Sequence, residues 1–239
     1  MCGRYSFFTD EENREILSII AEVSRNYPNT PVKTGEIFPT NTAPVLVGVE
    51  NQQRAQPQIW GFPHFKGSGV MINARAETVE EKRMFRESVW ERRCVIPTTG
   101  FYEWKQDSTK QKYLFAYPKE EVTYLAGLYN EYKGQRRYVI LTTGANRSIR
   151  DIHDRMPVVL PKERLEEWLF HKKEKQIICS IYATYKTSKR NHRNFSKSVQ
   201  GQIICSTYAT NYLPLTGRLY DIVKSDKATD NPRRKVSLI

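Results

Sequence analysis

The chain has 239 residues and a formal net charge of +12, and 39% of its residues are hydrophobic. This length can bury a core in one large domain or two small ones, and the composition excludes collagen, coiled coil and extended disorder. The positive charge favours a polyanionic partner, nucleic acid first. No apolar run approaches the roughly 20 residues of a membrane helix, and the first residues do not resemble a secretory signal. We therefore expect a cytoplasmic protein without membrane contact, associated with the nucleoid if it is bacterial.

The four cysteines stand at positions 2, 94, 179 and 205. They form no CxxC pair, and no histidine lies at metal-ligand spacing from them, which disfavours zinc and a redox dithiol. Free thiols are typical of the reducing cytosol. We therefore expect neither a metal nor an organic cofactor.

Three helices are predicted. Thr9–Glu12 has the pattern of a capping box with Thr9 as the cap, and apolar residues then recur at helical spacing from Ile16 to Val23. A second helix is predicted at residues 78–92. The third begins with Pro161, which suits the first position of a helix.

Predicted strands outnumber the helices. Residues 26–44, rich in Pro, Thr and Asn, are predicted to form a loop. Strands are then predicted at residues 45–49, 58–62, 94–96, 113–117, 123–129, 138–143 and 157–160, and residues 100–105 are predicted to continue as a strand or a turn. Lys133-Gly134 predicts a turn within an antiparallel meander. Because strands and helices do not alternate as βαβ, the predicted fold class is α+β, with an antiparallel, barrel-like β core and a few flanking helices.

The last third of the chain contains a near-duplication. Residues 176–184 recur at residues 202–210, with eight of nine positions identical, which indicates a local tandem duplication. Residues 185–201 between the copies are rich in Lys and Arg. They are either a solvated loop, which is the commoner case, or an extra polyanion contact. We predict a single domain over residues 1–239, with the duplicated strand segment and basic insert at about residues 176–210.

Cys2 is the first candidate for chemistry. Methionine aminopeptidase removes Met1 when the second residue is small, and the mature chain would then begin with a 1,2-aminothiol. Unperturbed, its amine titrates near ~8 and its thiol near ~8.5, so part of the amine is neutral at cellular pH. With an aldehyde, the amine forms a Schiff base that the thiol closes into a thiazolidine. A cysteine at position 2 is also often accidental.

Glu103 and His153 are candidates for proton transfer. Glu103 lies in an apolar, aromatic run, where desolvation should raise its pKa towards the range of a general acid or base. The alternative is a structural carboxylate paired with Lys105. His153 is flanked by acidic residues and Arg155, which suits a proton shuttle with a defined tautomer, whereas a surface turn histidine is commoner.

Asn73 and Arg75 should share one face of an extended segment. Asn73 could orient the aminothiol or a sugar, and Arg75 could hold a phosphate. Arg4 and Arg155 are further phosphate candidates. Each of these arginines could equally be an ordinary surface residue.

Four segments together resemble the SRAP family, also called the SOS-response-associated peptidase family, which includes bacterial YedK-like proteins. The motifs are MCGRY, NARAET, RRCVIPTTGFYEWK and TTGANRSIRDIHDRMPVVL, in that order. The resemblance runs from Met1 to about Phe170. After about residue 175 the chain departs from the family pattern.

The resemblance implies an antiparallel, barrel-like core that binds single-stranded DNA in a basic channel and traps the open-chain aldehyde of an abasic site as a thiazolidine. Cys2 would be the nucleophile, Asn73 would orient it, Glu103 would act as acid and base, and His153 would assist ring opening and crosslink reversal. The resemblance also implies a monomer. The implied DNA contacts are phosphate contacts from Arg4, Arg75 and Arg155, and an apolar surface formed by Trp60 and Pro39.

Three functions remain open at this point. The first is covalent capture of abasic DNA. The crosslink would protect the strand, because strand cleavage at an abasic site proceeds through the same open-chain aldehyde. A Schiff-base intermediate could also lead to slow cleavage of the strand, which is a lyase activity. The second is a thiol autopeptidase that uses Cys2 with His153 and Glu103. The third is a non-catalytic single-strand binder that uses aromatic and basic side chains.

Overall fold

The computed structural model describes residues 2–11, 13–64, 67–116 and 121–170, together with the backbone of a strand at residues 221–224. Both copies of the duplicated segment and the basic insert lie outside the described residues. The prediction that they join the rest in a single domain therefore stays a prediction.

Strands dominate the described chain, as predicted. Its helices are α1 (Arg14–Asn26), α2 (Arg83–Glu91) and α3 (Leu165–Phe170), the last preceded by a 3-10 turn at Lys162–Arg164. Its strands are β1 (Arg4–Phe7), β2 (Gly35–Ile37), β3 (Thr42–Val49), β4 (Gln52–Trp60), β5 (Phe62–Pro63), β6 (Val70–Met71), β7 (Asn73–Arg75), β8 (Arg93–Thr98), β9 (Gly100–Trp104), β10 (Lys112–Ala116), β11 (Thr123–Tyr132), β12 (Gln135–Gly144), β13 (Arg155–Pro157), β14 (Val159–Leu160) and β15 (Asp221–Lys224).

Five of these strands close into a barrel. Each pairs with the next in the order β12, β4, β3, β8 and β11, and β11 pairs back with β12. All these pairings are antiparallel except β12 with β4. At Gly127, an added Cβ would lie 2.3 Å from Ile96 Cδ1, so a larger residue would not fit there. The predicted α+β class with a barrel-like core is confirmed.

The hairpin between β11 and β12 forms at the predicted turn. Lys133 and Gly134 both have positive φ, 51° and 75°. Such a two-residue turn matches the right-handed twist of the flanking strands, and glycine adopts this conformation at little cost.

A second, antiparallel sheet carries the beginning of the chain. Its strand order is β15, β10, β9, β1 and β2, so β1 lies between β9 and β2. In the register, Arg4 lies opposite Tyr102, and Glu103 lies opposite Tyr113 on β10. Cys2 therefore enters the molecule beside the strand that carries Glu103.

The end of β12 holds two very short strands. Asn73 on β7 pairs in parallel with Ile140, on the edge that β4 occupies earlier along β12. Arg155 on β13 pairs with Gly144, on the edge that β11 occupies earlier. The strands of Asn73 and Arg155 thus flank β12 at one end of the barrel.

The helix boundaries differ in part from the predictions. α1 buries its predicted apolar face, but its cap is Asn13, whose Oδ1 accepts a hydrogen bond from the Ile16 amide at 3.0 Å. The predicted Thr9 cap is therefore wrong. α2 begins at Arg83 because residues 76–82 form turns, and the predicted loop at residues 26–44 contains β2 and the start of β3. Pro161 precedes the 3-10 turn and is not the first residue of α3.

None of the described helices is long and apolar enough to cross a membrane.

Candidate active site

Cys2 is fully buried and lies two residues before the start of β1. Its thiol donates a hydrogen bond to the Arg4 carbonyl oxygen at 3.7 Å. Burial raises the pKa of the thiol far above its ordinary value, and the negative charge of Glu103 raises it further. The thiol is therefore protonated and neutral at physiological pH.

Asn73 ties the first residues to the barrel. Its Nδ2 donates a hydrogen bond to the Cys2 carbonyl oxygen at 2.9 Å. Its Oδ1 is buried and has no hydrogen-bond partner among the described residues. A buried amide oxygen in this state can accept a hydrogen bond from an amine or a sugar hydroxyl.

Glu103 is the buried carboxylate of the site, with only 2% of its surface exposed. Burial raises its pKa to about 7. A carboxyl group that titrates near 7 can both take up and release a proton at physiological pH. Lys105, the alternative ion-pair partner, instead pairs with Asp107 at 2.8 Å.

His153 lies beside this carboxylate. Its Nε2 is 3.8 Å from Glu103 Oε2, and 12% of its side chain is exposed. Burial lowers the pKa of the imidazole, and the opposing effect of the Asp154 carboxylate is smaller. The ring is therefore neutral at physiological pH.

Two neighbours compete for Nδ1 of His153. The Arg155 amide donates to it at 3.0 Å, and Asp154 Oδ1 lies 2.9 Å away. A neutral Nδ1 cannot accept from the amide and donate to the carboxylate at once. The amide can only donate, whereas the Asp154 side chain is 72% exposed and can bind water. We therefore assign the ring proton to Nε2, on the side of Glu103.

The predicted phosphate ligands have three different environments. Arg75 is exposed. The guanidinium of Arg4 lies 4.1 Å from the Phe38 ring centre and pairs with Glu36 at 3.2 Å. Arg155 is bound by the protein itself, through two hydrogen bonds of 2.9 Å to the Glu77 carboxylate.

The predicted apolar surface is partly wrong. Trp60 is fully buried, and its Nε1 donates to the Ile72 carbonyl oxygen at 3.1 Å, so its ring is part of the core and presents no surface. Pro39 is partly buried in the connection between β2 and β3. Its neighbour Phe38, which the sequence reasoning missed, has 39% of its surface exposed. The adjacent Phe-Pro pair in a polar segment was the available signal.

Glu36 and Glu77 were also missed. Glu36 pairs with both Arg4 and Lys112, and Glu77 pairs with Arg155. Glu77 stands inside the NARAET motif, but nothing in the sequence relates it to Arg155. Within the described part of the chain, no group of three His, Cys, Asp or Glu side chains is placed to hold a metal ion.

Comparison with known proteins identifies the family. The family model described as SOS response associated peptidase (SRAP) matches residues 1–201. The chain belongs to the SRAP family. Among its SRAP relatives, abasic site processing protein YoqW of Bacillus subtilis (strain 168) is 34% identical over 189 residues, which cover 71% of this chain and 80% of YoqW. Abasic site processing protein YedK of Escherichia coli (strain K12) is 28% identical over 178 residues, which cover 71% of this chain and 79% of YedK.

The SRAP chain also resembles a solved structure. An X-ray crystal structure of a protein from Bacteroides thetaiotaomicron aligns with a TM-score of 0.63 at 25% sequence identity. The alignment covers 75% of this chain and 86% of that one.

Proposed function

We propose that this SRAP protein captures abasic sites in single-stranded DNA through a thiazolidine link to Cys2, after removal of Met1, and thereby shields the lesion from strand cleavage. The relatives YoqW and YedK are named abasic site processing proteins. The observation that carries the proposal is the clustering of Cys2, Asn73, Glu103 and His153 at one end of the barrel.

The proposed reaction begins with the amine of Cys2. The amine adds to the C1′ aldehyde of the ring-opened sugar, and the resulting carbinolamine loses water to give an imine. The Cys2 sulfur then adds to the imine carbon, and the thiol proton passes to the nitrogen. One water is released, and no oxidant or reductant is needed.

Glu103 is suited to the proton transfers of this sequence. With a pKa raised to about 7, its carboxylate can take a proton from the Cys2 ammonium and return it to the departing hydroxyl. His153, neutral with its proton on Nε2, is suited to donate a hydrogen bond to the ring oxygen of the sugar as the ring opens, while the protonated form of Glu103 supplies the proton. Asn73 holds the Cys2 backbone while these steps occur.

The burial of Cys2 favours an amine-first order and weighs against the peptidase alternative. A thiol protease attacks with its thiolate, which needs a lowered pKa or an adjacent base. Here burial raises the pKa of the Cys2 thiol. In the proposed order, the thiol is needed only after the imine has formed next to it.

Single-stranded DNA would be held by basic and aromatic side chains near Cys2. Arg4 and Arg75 are the proposed phosphate contacts, and the exposed ring of Phe38 is available for stacking or apolar contact. The net charge of +12 adds a long-range attraction for the strand. We propose that the protein acts as a monomer.

Denaturing-gel crosslinking tests the proposal. Protein whose Met1 removal is verified by mass spectrometry meets single-stranded DNA with one abasic site. The wild type should give a heat-stable adduct that is absent with undamaged DNA. Cys2→Ser and Cys2→Ala keep the amino-terminal amine, so both should be trapped only when borohydride reduces the imine. Cys94→Ala, which removes a buried thiol of β8, is the matched control and should crosslink like the wild type.

Two results would contradict the proposal. A heat-stable adduct that Cys2→Ala forms as well as the wild type, without reductant, would show that the thiol is not needed. If protein with a free Cys2 amine formed no adduct, the covalent hypothesis would be rejected. Non-catalytic binding of single-stranded DNA would then be the favoured function. A separate outcome concerns the lyase side reaction, which would be revealed if Cys2→Ala cleaved the DNA strand at the abasic site.

A further inference from the structure

A cluster of hydroxyl groups lies where β1 meets the connection between β8 and β9. Thr98 ends β8, Gly100 begins β9, and only Thr99 stands between them. Ser6 on β1 lies opposite Gly100 in the register. The cluster therefore joins one strand of the barrel to two neighbouring strands of the second sheet.

Thr98 is the centre of this hydroxyl cluster. Its side chain is fully buried, and its Oγ1 lies 2.6 Å from both the Ser6 and the Gly100 carbonyl oxygens. The same Oγ1 accepts a hydrogen bond from the Gly100 amide at 2.9 Å. The hydroxyl has one proton, so it donates to only one of the two carbonyl oxygens at a time. Valine would fill the same space without any of these contacts.

Ser6 and Thr99 complete the hydroxyl cluster. Ser6 is also fully buried, and its Oγ donates to the Gly100 carbonyl oxygen at 3.0 Å and accepts from Thr99 Oγ1 at 2.9 Å. The Thr99 amide donates to the Ser6 carbonyl oxygen at 2.9 Å. On the other side of the backbone, a Cβ added at Gly100 would lie 2.8 Å from the Phe115 carbonyl oxygen. The junction is therefore held from both sides.

The register of β1 against β9 decides where Cys2 lies relative to Glu103. The ladder has three pairs, and it ends at Arg4, two residues after Cys2. A slip of one residue would move β1 by about 3.3 Å and turn each of its side chains to the opposite face of the sheet. Three pairs offer few contacts that oppose such a slip. The hydroxyl cluster opposes it, because its hydrogen bonds to Ser6 form only in the observed register.

We infer that Ser6 and Thr98 are positioning residues for the proposed crosslinking reaction: their hydroxyl cluster fixes β1 against β9 and so holds Cys2 in place beside Glu103. The inference rests on the proposed function for its kinetic consequence only. Asn73 holds the other end of the segment through the Cys2 carbonyl oxygen, so the first residues are attached at two points. Because both side chains are fully buried, they act through Cys2 and not through contact with DNA.

Single-turnover crosslinking at saturating abasic DNA tests the inference. Thr98→Val and Ser6→Ala should each form the adduct about tenfold more slowly, as expected when a nucleophile loses its orientation. Their Kd for undamaged single-stranded DNA should be unchanged. Thr98→Ser keeps the hydroxyl and should react at close to the wild-type rate. Ser88→Ala is the matched control and should react like the wild type, because Ser88 is a fully buried serine of α2 whose Oγ has no hydrogen-bond partner among the described residues.

Three results would overturn the inference. The first is a wild-type rate in both Thr98→Val and Ser6→Ala. The second is an equally slow reaction of Thr98→Val and Thr98→Ser, because the hydroxyl would then not be the group that matters. The third is a weakened Kd with an unchanged saturated rate, which would make the hydroxyl cluster part of the DNA-binding surface. If Thr98→Val did not fold, the rate and Kd of Ser6→Ala would decide.

Amide hydrogen exchange tests the register without DNA. In Thr98→Val, the amides of β1 and β9 should exchange about tenfold faster through local opening, while those of β11 in the barrel keep their protection. Unchanged exchange in β1 and β9, or equal acceleration in β11, would overturn the inference. If the wild type formed no adduct, the proposed function would fail, and the exchange rates would still decide whether the hydroxyl cluster fixes β1.

Discussion

Asn73 and Cys2, 71 residues apart in the chain, are joined by a hydrogen bond of 2.9 Å from Asn73 Nδ2 to the Cys2 carbonyl oxygen. β7 itself is held in parallel to β12, a strand of the closed barrel. Cys2 is therefore positioned by the barrel as well as by β1. Such rigidity suits the proposed reaction, in which a nucleophile must meet an aldehyde carbon at a defined angle.

Replacing Asn73 by Ala should slow crosslinking at saturating DNA. The loss of one neutral hydrogen bond is worth about 1 kcal/mol, which corresponds to a roughly fivefold lower rate. Gel-based single-turnover assays measure it. Asn29→Ala, in the exposed turn after α1, is the control. Equal rates for Asn73→Ala and the wild type would show that the hydrogen bond does not position Cys2.

The buried Glu103 should make stability depend on pH. Its folded-state pKa of about 7 lies above the ordinary value of 4.5. The protonated form therefore stabilises the fold fully below about pH 4.5, and this stabilisation is lost as the pH rises through about 7. Glu103→Gln does not titrate. Between pH 5 and pH 8, the unfolding free energy of the wild type should fall relative to the variant by on the order of 2 kcal/mol, measured by urea unfolding.

A matched substitution isolates this effect. Glu131→Gln removes an exposed carboxylate near the β11–β12 hairpin, and its effect on the unfolding free energy should vary by less than about 0.5 kcal/mol over the same pH range. If Glu103→Gln behaved in the same way, the carboxyl group would not be desolvated in solution. A role as acid and base near neutral pH would then lose its physical basis.

Local patterns were sufficient to predict much of the barrel. β11 and β12 alternate or remain apolar along most of their length, and Lys133-Gly134 marks the turn between them. The burial of Glu103 was predictable for a similar reason, because a carboxylate between aromatic residues on a short strand has little access to water.

Contacts between distant segments were beyond this reasoning. Glu77 and Arg155 are 78 residues apart, and their pairing depends on both β7 and β13 docking on β12. Strands of three residues leave too short a pattern to detect. Trp60 was assigned to the surface through the family resemblance, and a tryptophan at the end of a strand does not itself indicate which face of the sheet it occupies. Its hydrogen bond to Ile72 forms only in the folded barrel.

Trp60 should therefore matter for stability and not for DNA contact. Its ring packs 5.2 Å from Tyr5 and 6.3 Å from Tyr138, measured between ring centres. Trp60→Ala should lower the unfolding free energy by about 3–5 kcal/mol. Trp60→Phe keeps an aromatic ring and removes one of two hydrogen bonds to the Ile72 carbonyl oxygen, which still accepts from the Ile140 amide, so the loss should be smaller, about 1 kcal/mol. Calorimetry measures both losses. If Trp60→Phe had wild-type stability but bound DNA tenfold more weakly, Trp60 would contact DNA and would not be only a core residue.

Glu36 should limit the affinity of the site for DNA. Its carboxylate pairs with both Arg4 and Lys112, so these two cations are partly neutralised in the free protein. Glu36→Gln leaves both cations available for phosphates. We expect undamaged single-stranded DNA to bind about three- to tenfold more tightly at low salt, with a salt slope steeper by about 0.7 for each new phosphate contact. Fluorescence anisotropy across a salt series measures both, and Glu131→Gln, which removes the same charge elsewhere, is the control. An equal gain in DNA affinity in the two variants would show that the effect comes from the change in net charge and not from the release of Arg4 and Lys112. Weaker binding by Glu36→Gln would mean instead that Glu36 orients Arg4 towards the strand.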